Sequence, residues 1–242
     1  MRYKCVVSYD GANYHGFQVQ GAPNTIQNEL EKALAIIHKK HVTVYPSGRT
    51  DAGVHALGQV FHFNSDIDMK DANMQNALNS RLPQDIYIKN VEHVDLNFHA
   101  RFSSISKRYE YLIDIGEYNP LLIRYRYYYA HPLNISLMQE VAKSFIGEHD
   151  FRSFTKNHHL ENTLRTIYDC SLVQEGTLLR FRIHGNGFMH HMVRIMVGMM
   201  MEVGKGKLTP AQIIEIQEAK NRRLAPKIAP ANGLYLVEVS YE

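Results

Sequence analysis

Residues 42–63 read VTVYPSGRTDAGVHALGQVFHF. The β-rich runs at either end, Val42 to Tyr45 and Gln59 to Phe63, predict two strands. The segment between them, PSGRTDAGVHA, has the proline, glycines and small polar residues of a loop. Gly48 and Gly53 bracket Asp51, so the backbone can turn sharply and hold a carboxylate at a strand end beside a cleft. An Asp in such a turn ordinarily caps its own backbone. Arg49, two residues away, adds a second reading, because a nearby guanidinium keeps a carboxylate ionised and oriented, as a nucleophile requires.

Working outward, Tyr3 to Tyr9 alternates Tyr3, Cys5, Val7 and Tyr9 on one face, a strand pattern. Thr25 then opens an amphipathic helix with Ile26, Leu30, Leu34 and Ile37 a turn apart. Beyond the loop, a helix near Asp71 to Leu82 stops before Pro83, and Ile86 to Val94 returns as a strand. The second half predicts a long strand from Ser106 to Ile115, a helix from Ser136 to Ile146, and a hairpin of Thr166–Val173 with Leu178–His184. A Met-rich helix follows over Phe188 to Val203, another starts at Pro210, and a strand over Leu234 to Tyr241 closes the chain. No repeat or Pro/Gly-rich linker interrupts this mixture. The expectation is therefore an α+β fold: two similar lobes, 1–102 and 103–242, share a continuous, mainly antiparallel sheet flanked by helices, with a central catalytic cleft.

Composition excludes several classes. With 242 residues, 45% of them hydrophobic, the chain has enough apolar surface for a sizeable core and is no disordered tail. Its two cysteines, Cys5 and Cys170, form no CxxC pair, which rules out a disulfide framework or a Cys-rich zinc module and suits a reducing compartment. The N-terminus has no apolar signal region, and the stretch from Ile195 to Val203 is too short to span a bilayer, so a cytoplasmic location without a membrane partner is expected. The net charge, 27 − 24 = +3, is too small to announce nucleic-acid binding, so basic residues must be sought locally.

The string GRTDAGVHA with the following GQV resembles the signature of the tRNA pseudouridine synthase A family. The resemblance continues in YDGANYHGFQVQ (Tyr9 to Gln20), FHARFSSISKRYEYLI (Phe98 to Ile113), NGFMHHMVRIMVG (Asn186 to Gly198) and GLYL (Gly233 to Leu236), in the family's order and across nearly the whole chain. Phe17 stands where a Trp is expected. The resemblance implies a tRNA pseudouridine synthase, an isomerase that detaches uracil from its ribose, rotates it and rejoins it through C5. The implied target is uridine 38, 39 or 40 of the anticodon stem-loop, and the implied assembly is a homodimer. The rearrangement demands no cofactor and no metal, but a base inside a stem must be flipped out to be reached.

By the same resemblance Asp51 is the essential carboxylate, with attack at C1′, attack at C6 and a glycal route all open. Arg49 would fill the place of the flipped nucleotide or contact its phosphate, or pin the loop through Asp51. In KRYEYLI, Tyr109 and Tyr111 share a strand face, and the first is the implied substrate-stacking residue; read without the family, both are core tyrosines. Arg194 is a charge on an otherwise apolar helix and so needs a partner, for which Asp51 is the expected carboxylate; the rival is a snorkelling surface arginine. The surrounding methionines read as core filler. Leu234 or Leu236 supplies apolar packing beside the site.

The 14 histidines raise a metal reading. His190 and His191, adjacent on the expected helix, point about 100° apart, unlike the i, i+4 spacing of a helical zinc pair. Histidines at the surface or on RNA, His55 among the latter, account for them better. RNA contact is expected from Arg101 to Arg126, which holds Arg101, Lys107, Arg108, Arg124 and Arg126 with tyrosines alongside, and from Lys205 to Lys227. Two rival functions stand beside the synthase: a catalytically silent RNA-binding protein or chaperone of the same fold, and a metal-dependent hydrolase.

Overall fold

The computed structural model describes residues 1–19, 21, 24–157 and 160–241; Gln20, the last residue of the Tyr9–Gln20 block, lies outside them. In chain order the elements are β1 (Arg2–Tyr9), α1 (Ile26–His38), β2 (Tyr45–Pro46), β3 (His55–Asn64), α2 (Asp71–Asn79), β4 (Ile86–Val94), β5 (Ser106–Asp114), β6 (Tyr127–Tyr128), α3 (Ile135–Ser144), β7 (Gly147–Asp150), β8 (Leu164–Glu175), β9 (Leu178–Gly185), α4 (Met192–Gly204), α5 (Pro210–Glu218) and β10 (Leu234–Ser240). This is an α+β chain with mainly antiparallel strand pairing and five α-helices among the described residues. None of those helices is long and apolar enough to cross a membrane.

Two compact units form, Met1–Ile105 with Tyr235–Glu242, and Ser106–Leu234. The expected division at 102/103 kept the C-terminal strand with the second lobe. In the structure β10 runs parallel to β3, Tyr235 opposite His55 and Leu236 opposite Ala56, which carries the end of the chain back to the first unit.

In the first unit β1 lies between β3 and β4, antiparallel to both. Its alternation survives intact: Tyr3, Cys5, Val7 and Tyr9 are buried, with Arg2, Lys4, Val6 and Ser8 less so. The Thr25 hydroxyl caps α1 by accepting the Asn28 N–H at 3.3 Å, and Ile26, Leu30 and Leu34 on its inner stripe are fully buried. Two expectations need correction. Val42 and Val44 are buried but lie outside any ladder, so β2 is only the Tyr45–Pro46 pair opposite His62 and Phe61. β3 starts at His55 instead of Gln59. It runs through Gly58 because a Cβ there would lie 2.5 Å from the Val237 carbonyl oxygen, so only glycine admits the neighbouring strand so closely.

In the second unit the strands order as β5-β9-β8-β7, all antiparallel, with β6 parallel to β5. The β8–β9 hairpin turns at Gly176, whose φ of +62° suits glycine. Helix α5 carries a full capping box, Thr209 with Gln212, and Pro210 in its first turn. The Met-rich helix begins at Met192, four residues later than expected, because His191 adopts a left-handed φ of +64°. Met192, Met196, Met199 and Met200 are fully buried, so they are core filler as read from sequence.

Candidate active site

The GRTDAGVHA loop is a stack of hydrogen bonds laid against the Asp10–Phe17 segment. Asp51 to Val54 closes a turn through Val54 N–H to the Asp51 carbonyl at 3.1 Å, and Gly53 at its third position has φ +77°, the left-handed value a type II turn requires. Gly53 N–H in turn reaches the Tyr14 carbonyl at 3.2 Å, and Phe17 N–H the Thr50 carbonyl at 3.3 Å. The stem is tied below by the Ser47 hydroxyl on Gln59 at 2.5 Å and by the Gln59 amide on the Gly48 carbonyl at 3.0 Å. The side chain of Thr50 meets the buried Tyr9 hydroxyl at 2.8 Å. Desolvation raises the Tyr9 pKa above its ordinary range, so that hydroxyl stays protonated.

Two glycines let the supporting segment come this close. A Cβ on Gly11 would lie 1.9 Å from the Val54 carbonyl oxygen, and one on Gly16, whose φ is +85°, 2.4 Å from the Thr50 carbonyl oxygen. Asp51 is thus half-buried at the head of a doubly supported turn, flanked by buried Thr50 and Val54. Arg49 is exposed, and its Nε donates to Gln18 Oε1, a partner that sequence reasoning did not name. His55, 2% exposed, accepts the Gly11 N–H on Nδ1 at 3.1 Å, lies 3.1 Å from Asp10 Oδ1, and stacks on Tyr235 at 4.8 Å. Its ring locks the end of the loop to β10. Arg101 is exposed in the turn after Phe98, its guanidinium 5.6 Å from the Phe102 ring centre.

The second unit carries the other expected residues. Tyr109 and Tyr111 share the inner face of β5, opposite Ile183 and Phe181 of β9. They differ in burial: Tyr111 is fully buried with its hydroxyl donated to the Pro230 carbonyl at 2.8 Å, whereas Tyr109 is 9% exposed, edge-on to Phe188 with ring centres 5.1 Å apart. Arg108, on the other face, is exposed. Arg194 lies in the first turn of α4, half-buried, and its Nε donates to the Ala229 carbonyl at 2.8 Å while Ala229 N–H returns to the Arg194 carbonyl at 3.1 Å. The first bond holds the Nε edge of the guanidinium fork, and the second ties the Ala229 backbone to the start of α4. Leu234 is 6% exposed and Leu236 1% exposed. His190 and His191 precede α4 instead of sitting on it, and their ring centres lie 3.6 Å apart with the planes tilted by 30°, correcting the 100° divergence expected from a helix.

A family model described as tRNA pseudouridine synthase matches residues 5–103 and 141–242. The chain belongs to the tRNA pseudouridine synthase family. Curated relatives named tRNA pseudouridine synthase A include one from Anoxybacillus flavithermus, 47% identical over 243 residues, covering 100% of this chain and 99% of the relative. Another, from Bacillus subtilis, is 43% identical over 246 residues and covers 100% of both chains. A third, from Pseudothermotoga lettingae, is 45% identical and covers 99% of each.

For a synthase of this family the basic stretches matter, and the structure revises one of them. Lys205 to Lys227 counts as strongly positive in sequence. In the fold, Lys205 pairs with Glu202 at 2.8 Å, Lys207 lies 3.9 Å from the same carboxylate, and Lys220 reaches Asp150 at 3.2 Å. Arg222 spends its guanidinium on the Ala225 and Pro226 carbonyls. Acids outside the sequence window thus neutralise much of that stretch. In the other stretch Arg126 pairs with Asp114 at 3.2 Å, and Arg101 and Arg108 are exposed.

Proposed function

We propose that this synthase converts uridine to pseudouridine at positions 38, 39 and 40 in the anticodon stem-loop of tRNA, with Asp51 as the essential carboxylate. The reaction is balanced without any co-reactant: the C1′–N1 bond breaks, a C1′–C5 bond forms, and the proton lost from C5 is matched by one gained at N1. The carrying observation is the Asp51–Val54 turn, where Gly53 sits at φ +77° and a half-buried carboxylate is presented by a backbone that Gly11 and Gly16 clamp from behind. A fixed carboxylate suits all three routes, attack at C1′, attack at C6, or proton removal toward a glycal, because each needs a charged oxygen held still against the nucleotide.

The other residues take the remaining roles. Arg49 replaces or steadies the flipped nucleotide, and Tyr109, the less buried of the two β5 tyrosines, supplies the stacking face and a hydroxyl near the uracil. Arg194, its fork directed by Ala229, supplies positive charge to the catalytic carboxylate, and Leu234 supplies apolar packing. Arg101, Arg108 and His55 serve the RNA, the first two through charge and the third by fixing the loop. The reading includes a homodimer working in the cytoplasm.

The test is an unmodified tRNA transcript incubated with the protein in EDTA and mapped for pseudouridine, then repeated with Asp51→Ala. Product in EDTA that vanishes in the variant while tRNA binding persists is the expected result. Undiminished product in Asp51→Ala overturns the assignment, and loss of product in EDTA alone favours a metal-dependent enzyme.

A further inference from the structure

Phe102 is 76% exposed, yet it stands on a turn whose backbone is closely tied. Its ring lies 4.4 Å from His99 at 37°, and His99 continues into a column of rings, 4.7 Å to His62 and from there 5.0 Å to Tyr45, with His62 and Tyr45 nearly parallel. The backbone of the turn is tied off at almost every step. The N–H groups of Arg101 and Phe102 both converge on His99 Nδ1, at 3.1 and 3.4 Å. Ser103 N–H reaches the His99 carbonyl and the Ser103 hydroxyl takes the His99 N–H, each at 2.9 Å. Ala100 N–H lands on His62 Nδ1 at 3.1 Å, and the Tyr241 hydroxyl on the Ala100 carbonyl at 2.7 Å.

An isolated exposed apolar residue needs no explanation. A phenyl ring carried into water on a turn this constrained gains nothing for the fold from its outer surface. Beside it stands exposed Arg101, whose guanidinium is 5.6 Å from the ring centre. An exposed aromatic ring next to an exposed cation is the pairing that holds a nucleobase and its phosphate in single-stranded RNA.

We infer that the His99–Ser104 turn is a preorganised stacking platform, on which an unpaired base of the tRNA lies against Phe102 while Arg101 meets the adjoining phosphate. This rests on the tRNA reading above, and extends it to a contact outside the catalytic loop.

The experiment measures binding of an unmodified tRNA transcript over a range of salt concentrations, for the full chain and for Phe102→Ala, Phe102→Trp, Phe102→Leu and Arg101→Ala. Stacking predicts that Phe102→Ala weakens binding about 5- to 140-fold with an unchanged salt slope. Phe102→Trp should restore affinity, and Arg101→Ala should lower the salt slope by about one. Thermal melting of each variant controls for folding, which a residue this exposed should not disturb. Wild-type affinity in Phe102→Ala overturns the platform, and so does rescue by Phe102→Leu, which would make the contact plain apolar packing against a protein surface. Failure of the unaltered chain to bind or isomerise tRNA overturns the functional reading instead.

Discussion

Acidification from pH 8 to pH 5 is expected to remove about 2 kcal/mol of stability through His62 alone. His62 sits on β3, 2% exposed, with Nδ1 accepting the Ala100 N–H at 3.1 Å and a backbone hydrogen bond to Tyr45 on the paired strand. Burial, with the charges of Arg2 and His99 behind it, lowers its pKa from 6.5 to about 4. A proton on Nδ1 would break the Ala100 bond and leave an imidazolium without water. The unfolded chain takes up that proton near pH 6.5 and the folded chain only near pH 4. Between those values the unfolded state binds more protons, so stability falls as the pH falls, and the loss levels off below the folded value.

Urea unfolding at a series of pH values checks this, with His62→Gln as the comparison. Glutamine can still accept from Ala100 but does not titrate. It forfeits the stack on Tyr45, so the variant should be weaker at pH 8 while losing less between pH 8 and 5. For a slope of about 2 kcal/mol per molar urea, the wild-type midpoint should drop about 1 M more than the variant's over that range. Parallel pH dependences for the two proteins would show that His62 is not the buried neutral imidazole described here.

Three further outcomes follow from the loop and from β5. Gly16→Ala should reduce turnover much more than tRNA affinity. The left-handed φ costs about 1 to 2 kcal/mol, and a Cβ 2.4 Å from the Thr50 carbonyl oxygen must push the residue preceding Asp51; a displacement near 1 Å can cost about 100-fold in rate. Full single-turnover activity in that variant would mean the clamp does not position the carboxylate. Tyr111→Phe should lower stability by about 1 kcal/mol, since it removes the hydrogen bond that the buried Tyr111 hydroxyl donates to the Pro230 carbonyl, and an unchanged melting profile would contradict this. Tyr109→Phe with undiminished pseudouridine formation would remove the hydroxyl from the mechanism and leave only the ring.

The elements that sequence located well are those whose local pattern agrees with their packing. The alternation of β1, the capped stripe of α1, the Thr209–Pro210 start of α5 and the Gly176 turn each encode their structure within a few residues. The misreadings share a different cause. Gly58 fell outside the strand predicted from Gln59 because a glycine weakens a strand in isolation, and only the close approach of β10 turns it into a requirement. The two-residue β6 and four-residue β7 carry too little alternation to register. His191 hid the true start of α4, because nothing in the run FMHH predicts a left-handed residue there.

The site divides in the same way. Sequence alone singled out Asp51 as a loop carboxylate beside Arg49, and the continuous GRTDAGVHA string named the family, because covalent neighbours are enough to recognise a motif. It could not say which groups hold that loop. Gln18 on Arg49, Gly11 and Gly16 against the loop backbone, and Gln59 on Gly48 are contacts between segments 11 to about 40 residues apart, invisible to any local pattern. Charge behaves likewise: the Lys205–Lys227 stretch is basic as written, and loses much of that character once Glu202 and Asp150 fold against it. Chemistry carried by residue type and adjacency was legible in the chain; orientation, burial and neutralisation were set only by tertiary packing, since hydrogen bonds and Coulombic fields depend on distance in space, not on separation along the sequence.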